Sequence, residues 1–158
     1  MNASGGPALV AARRQLGRCP TGDARATPSF AHPHTRVIVH AVGPVFPRNA
    51  QERAVAAARL EAVAAAASPA AATRVDVDAH LHGLLGSAYR RALAVAQAHA
   101  CESVGLCLLS AGVFRGAQPL EAVVEVSRRA ASVRCLPVFC LTYFSDFPTF
   151  FLVMSICT

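Results

Sequence analysis

Lysine is absent from this chain, so all fifteen of its basic residues are arginines. Together with the abundance of alanine, that absence points to GC-rich coding sequence more than to selection for a nucleic-acid surface. The arginines also stand in pairs at most, as at Arg13-Arg14, Arg90-Arg91 and Arg128-Arg129. Acidic residues are scarce, nine in all, and the resulting net charge of +6 favours an anionic partner without choosing one. No two of the six cysteines stand at Cys-x-x-Cys spacing, and several lie in apolar runs. Buried, reduced thiols of an intracellular protein are therefore expected, rather than a zinc site or a disulfide framework. The first residues, Met1-Asn2-Ala3-Ser4-Gly5-Gly6, lack the basic and apolar regions of a signal peptide, which makes cytoplasm or nucleus the expected location. Neither a Ser-His-Asp arrangement nor a working pair of carboxylates can be argued from spacing. No catalytic residue, metal or cofactor is assigned.

What is present is an oily chain of 158 residues, 54% hydrophobic and only 15% charged, with a mean hydropathy of +0.40. That length suits one domain with one core. Residues 7–16 predict a short helix with Pro7 in its first turn, Gly17 as its stop, and Leu9, Val10 and Leu16 turned inward. Cys19-Pro20-Thr21-Gly22-Asp23-Ala24 reads as a turn, residues 24–27 as a half-buried strand, and residues 29–35 as a loop. Residues 36–42, rich in β-branched side chains and ended by Gly43-Pro44, predict a strand. An alanine-rich helix is expected over 51–67, and a low-complexity linker over 70–77.

Asp78 is expected to cap the next helix, in which Leu81, Leu84, Leu85, Ala88, Ala92, Val95 and Ala96 repeat at helical spacing. Residues 103–109 read as a strand covered on both faces. The stretch 108–119 then passes from apolar strand through Ser110-Ala111-Gly112 to the helix 120–131, whose inner face is expected to carry Leu120, Val123, Val124 and Ser127. A last strand is expected within 133–143. Strands alternating with helices predict a three-layer α/β/α domain. In such a sheet, a small Ser-Ala-Gly turn beyond a strand's carboxyl end lets backbone N–H groups approach and cradle an oxyanion, and the next helix adds its positive end.

Four blocks in order resemble the macrodomains that bind ADP-ribose. They are Cys19-Pro20-Thr21-Gly22-Asp23-Ala24 with Thr27-Pro28, the strand Val37-Ile38-Val39-His40-Ala41-Val42-Gly43-Pro44, the helix Leu84-Leu85-x-x-Ala88-Tyr89-x-x-Ala92-Leu93-x-x-Ala96, and Leu109-Ser110-Ala111-Gly112-Val113-Phe114. The resemblance implies a macrodomain-like sandwich with a central mixed sheet. Ser110, Ala111, Gly112, Val113 and Phe114 would then hold a diphosphate through backbone N–H groups, with Phe114 against the distal ribose. Arg115, which precedes Gly116, would add a phosphate contact through its guanidinium. Phe144 would touch adenine.

The family's Asp-Ala-Ile-Val-Asn-Ala-Ala-Asn motif and glycine-rich first loop have no counterpart. Gly6-Pro7-x-Leu9 fits the segment that follows that loop, so the catalytic asparagine is not assigned to Asn2. The expectation is a macrodomain truncated at its N-terminus over residues 1–144, its first strands missing, and an atypical apolar tail over 145–158. In that tail Asp146 and Pro148 interrupt a stretch only marginally long enough to span a membrane. Out-of-frame or intron-derived sequence explains the tail at least as well.

His32/His34 and His80/His82 share His-x-His spacing, but without a further ligand cluster they read as solvent or packing residues. His40 reads as a hydrogen-bonded core histidine, Asp76-x-Asp78 as loop and cap, and Cys107 as packing. The expected partners are ADP-ribose or ADP-ribosylated proteins, with no specific nucleic acid, no membrane and a monomeric state. If active, the resemblance implies an ADP-ribosyl hydrolase or an O-acetyl-ADP-ribose deacetylase. A non-catalytic ADP-ribose or interaction module and a non-functional gene fragment stay open beside it.

Overall fold

The β-branched run Val37-Ile38-Val39 predicts a strand, and in the computed structural model it forms one. The structure describes residues 2–32, 35–67, 75–132 and 139–141. Strand β2 (Val37–Ala41) pairs antiparallel with β1 (Ala24–Pro28), in a register that sets Arg25 opposite His40 and Ala26 opposite Val39. Side chains alternate across a strand, so this register sorts the pair into two faces. Ala24, Val39 and Ala41 enter the main core, while Arg25, Thr27, Ile38 and His40 lie on the other side.

Helix α1 (Asn2–Gln15) has a non-helical residue within it, Gly6 at φ 68, and Pro7 follows at the start of the second segment. The helix therefore begins earlier than the expected 7–16, but its second part starts where Pro7 predicts. Leu9 is fully buried, whereas Val10 and Leu16 are only half-buried. Helix α2 (Ala50–Ala67) has no buried residue.

Helix α3 (Val77–Ala98) is the central wall of the fold. Its buried residues Leu85, Ala88, Tyr89, Ala92, Leu93 and Ala96 trace one continuous stripe. The helix starts inside what the sequence reads as linker, and its N-cap is Asp76 rather than Asp78. The Asp76 carboxylate accepts the N–H groups of Asp78 and Ala79, because the cap must precede the first helical residue, here Val77.

Helix α4 (Leu120–Ser132) packs against α3, with Val126 lying over Gly86. Val123, Ser127 and Ala130 form its buried face. Leu120, expected inward, is 38% exposed because it begins the helix and overhangs the core.

Strand β3 (Val104–Leu106) pairs in parallel with β4 (Phe139–Leu141), and α4 supplies the crossover that parallel pairing needs. The apolar run 103–109 is longer than the strand it yields. Among the described residues the two strand pairs are separate sheets. One core cluster nevertheless joins Val39 and Ala41 to Val104 and Leu106 through α3. Also among the described residues, no helix is long and apolar enough to cross a membrane. The expected tail 145–158 lies outside them.

Candidate functional site

Beyond β3 the chain would continue as strand, but a side chain from α3 takes over its backbone groups. The hydroxyl of the fully buried Tyr89 accepts the N–H of Leu109 at 2.7 Å and donates to the carbonyl of Cys107 at 3.3 Å. Burial pushes this phenol's pKa well up, so the group stays a neutral donor and acceptor. The chain is thus released from the sheet at a defined point.

The next residue, Ser110, has φ 54, an uncommon value for a residue with a side chain. Its hydroxyl donates to the Pro44 carbonyl at 2.6 Å, fixing the turn to the segment that follows β2. Gly43 makes that approach possible, since a Cβ there would lie 2.6 Å from the Ser110 hydroxyl oxygen and 3.2 Å from Leu109 Cβ. The carboxyl ends of β2 and β3 therefore meet, although the strands themselves do not pair.

Residues 43–47 and 110–118 are laced together further along. The Phe46 N–H donates to the Phe114 carbonyl at 2.9 Å, and the Ala117 N–H donates to the Pro47 carbonyl at 3.0 Å. Gly116, at φ 58, faces the carbonyl oxygens of Phe46 and Pro47 so closely that a Cβ would collide with both.

A single 3-10 turn, Val113–Arg115, follows Gly112, which supplies no side-chain cap. The next helix starts at Leu120, as the sequence predicts, and this short turn stands between the Ser110-Ala111-Gly112 segment and that helix. Among the described residues, the N–H groups of Ser110, Gly112 and Val113 enter no hydrogen bond. Ala111 is buried, Val113 is exposed, and Phe114 is half-buried.

The Arg115 guanidinium folds back on its own loop and donates to the Gln118 carbonyl at 3.1 Å. Its buried Nε has no partner among the described residues. Gln118, buried, donates through Nε2 to Asp78 at 2.9 Å, and the other carboxylate oxygen of Asp78 accepts from Arg53 at 2.6 Å. This hydrogen bond and charge pairing raise the Arg53 pKa. Asp78 is thus a joint between α2, α3 and the loop. His82, one turn on, packs on Phe46 with ring centroids 5.1 Å apart, so this histidine is a packing residue.

Thr27 and His40 hydrogen-bond at 2.9 Å in the interior of the β1–β2 pair, as a core histidine should. His34 and Phe144 lie outside the described residues. Sequence reasoning missed Tyr89, Gly43, Gln118 and Asp78 as site-building residues. Gly43 at a strand's end was the only visible signal, because the others act through contacts distant in sequence.

The Macro domain family model matches residues 1–75 and 56–126. The chain belongs to the Macro domain family. A macro domain-containing protein of Ralstonia nicotianae is 30% identical over 121 residues, covering 77% of this chain and 54% of that protein. One from Vibrio parahaemolyticus is 33% identical over 122 residues, covering 74% and 54%. This macrodomain chain thus spans about half the length of the curated relatives it matches.

Among solved structures, the Oceanobacillus iheyensis macrodomain with ADP superposes with a TM-score of 0.63 at 19% identity, covering 91% of this chain and 65% of that one. A point mutant of it, with ADPR, gives 0.63 at 19% identity over 91% and 67%. The macro domain of ganglioside induced differentiation associated protein 2 gives 0.57 at 22% identity over 90% and 58%. These likenesses show the α/β/α macrodomain fold, whose layers the alternation of strands and helices predicts and whose kind the resemblance of the four blocks implies.

Proposed function

We propose that this macrodomain binds ADP-ribose, with residues 110–116 around the diphosphate, and that it acts as a binding module and not as a hydrolase. The carrying observation is the set of uncommitted N–H groups on Ser110, Gly112 and Val113, gathered where the carboxyl ends of β2 and β3 meet. Backbone donors held in a turn suit a diphosphate, because they carry no counter-charge and need no reordering when the anion arrives. Solved macrodomains of the same fold with ADP and ADPR support the choice of ligand. In this reading Phe114 lies against the distal ribose, and the Nε of Arg115 adds a donor from within the loop.

Binding without turnover is favoured by the structural engagement of the polar side chains around the loop. Asp78 already accepts from Arg53 and Gln118, and the Tyr89 hydroxyl is buried and taken up by Leu109 and Cys107, so both groups are engaged in holding the fold. Calorimetry with ADP-ribose tests the first part. Saturable binding that is lost on Gly112→Asp is expected, and the absence of heat at millimolar ligand rejects it. Incubation with a mono-ADP-ribosylated protein or O-acetyl-ADP-ribose tests the second, since measurable release of ADP-ribose identifies a hydrolase instead.

A further inference from the structure

The loop at residues 110–116 does not line the cavity of ≈ 980 Å³ in this molecule. That cavity opens on the opposite side of the β1–β2 pair, between the pair's outer face, the last turns of α1 and the turn that follows them. Its walls carry four arginines, Arg13, Arg14, Arg18 and Arg25, and among the described residues no carboxylate lines it. Burial first, and then the charge of nearby Asp23, raise the Cys19 pKa at the cavity wall, but the Asp23 carboxylate accepts the Ala24 N–H at 2.9 Å and lies 4.0 Å from Arg91.

Helix-end chemistry explains part of this cluster but not all of it. Arg13 and Arg14 lie in the last turn of α1, where cations offset the dipole, and Arg25 reaches from β1 to the Leu16 carbonyl. One or two charges suffice for that task. Arg18 stands beyond the helix and adds a further guanidinium to the same space. His40, on the cavity floor beside Arg13, keeps a depressed pKa of about 4, so it brings no charge at neutral pH and its ring is a neutral surface. The remaining floor is apolar, with Val10 and Val42. A cavity lined by four arginines with apolar groups between them suits an anion of several charges, whose uncharged part covers the apolar lining.

We propose that the cavity between α1 and the β1–β2 pair is a second anion site, which takes a nucleotide-sized organic molecule bearing three or more phosphates, a charge that four arginines match better than a diphosphate does. The forked donors of the arginines hold the phosphates, and the floor of His40, Val10 and Val42 holds the organic part. The site is independent of residues 110–116, so it stands or falls apart from the ADP-ribose reading.

The test is calorimetric titration of the whole chain with ATP and, separately, with tripolyphosphate, each in the absence and presence of saturating ADP-ribose. With ADP-ribose saturating residues 110–116, one ATP per chain is expected, weakened by added salt and tighter than tripolyphosphate. The double substitution Arg14→Glu with Arg18→Glu changes two exposed side chains and is expected to weaken ATP by about tenfold or more, while the ADP-ribose isotherm stays as it is and the melting temperature falls only slightly through the lost helix-end charge. No saturable ATP binding in the presence of saturating ADP-ribose, or binding there that is indifferent to the double substitution, overturns the proposal. Equal affinity for ATP and tripolyphosphate overturns the assignment of an organic ligand.

Discussion

The hydroxyl of Tyr89 lies 2.7 Å from the backbone nitrogen of Leu109, twenty residues further along the chain. It is the point at which the central helix decides where strand β3 stops and the loop begins. Tyr89→Phe removes that hydroxyl and leaves the Leu109 N–H and the Cys107 carbonyl without it. The expected cost is about 1–2 kcal/mol of stability. Because the freed backbone leads straight into Ser110, ADP-ribose affinity is also expected to fall about tenfold, or ~1.4 kcal/mol. Thermal melting and calorimetry on the same preparation check both. Full stability with unchanged affinity removes Tyr89 from the site's construction.

Gly116→Ala is expected to be more severe. The left-handed backbone at φ 58 costs about 1–3 kcal/mol for an L-residue, and the added methyl also meets two carbonyl oxygens that cannot swing away. The lacing of 110–118 onto 43–47 should open, with loss of ADP-ribose binding and a lower melting temperature. Gly112→Ala, where nothing lies within reach of a Cβ, is the matched control for stability.

Asp78→Ala separates two partners at once. Gln118 is buried and loses its carboxylate acceptor, and Arg53 loses its ion pair. An unpartnered buried amide costs about 1–3 kcal/mol, so most of the effect should come from Gln118. A double-mutant cycle with Arg53→Ala should show that the partly exposed ion pair adds under ~1 kcal/mol.

Stability should fall with acid in two steps. Burial first, and then the charge of Arg13, lower the His40 pKa from 6.5 to about 4. The folded state therefore prefers the neutral ring. Above pH 6.5 this contribution is complete, and it is lost as pH drops from 6.5 towards 4, because the unfolded chain takes up the proton first. At 5% exposure the full effect is about 3 kcal/mol. Glu125, hydrogen-bonded by Arg128 and Arg129 and lowered from 4.5 to about 2, adds a second loss with the same sign at lower pH. Melting temperature against pH should thus bend near 6.5, and His40→Gln should remove that bend while leaving the one below 4.5.

Much of the scaffold is legible in the sequence because local chemistry decides it. The β-branched run of β2, the stripe on α3 and the Ser110-Ala111-Gly112 turn after an apolar strand each announce themselves within a few residues. What escapes is set by partners far away in the chain. Asp76, and not Asp78, is the cap because the helix begins at Val77, and Asp78 is drawn to Arg53 and Gln118 instead. The apolar run 103–109 yields only Val104–Leu106 as strand because Tyr89 claims Leu109. Nor does spacing reveal that Arg18 and Arg25 join the helix arginines around one cavity. Their neighbourhood depends on how the strand pair folds back on α1.

The absence of any buried residue on α2 has a consequence of its own. A helix in water without a packed face is held by alanine's intrinsic preference and by its ends, and here Arg53 near the first turn ties it to Asp78. It can therefore unwind and rewind while α3 and both strand pairs stay closed. In amide hydrogen exchange the molecule would keep two clocks: a fast one for α2, set by local fraying, and a slow one for the stripe on α3, set by opening of the whole domain.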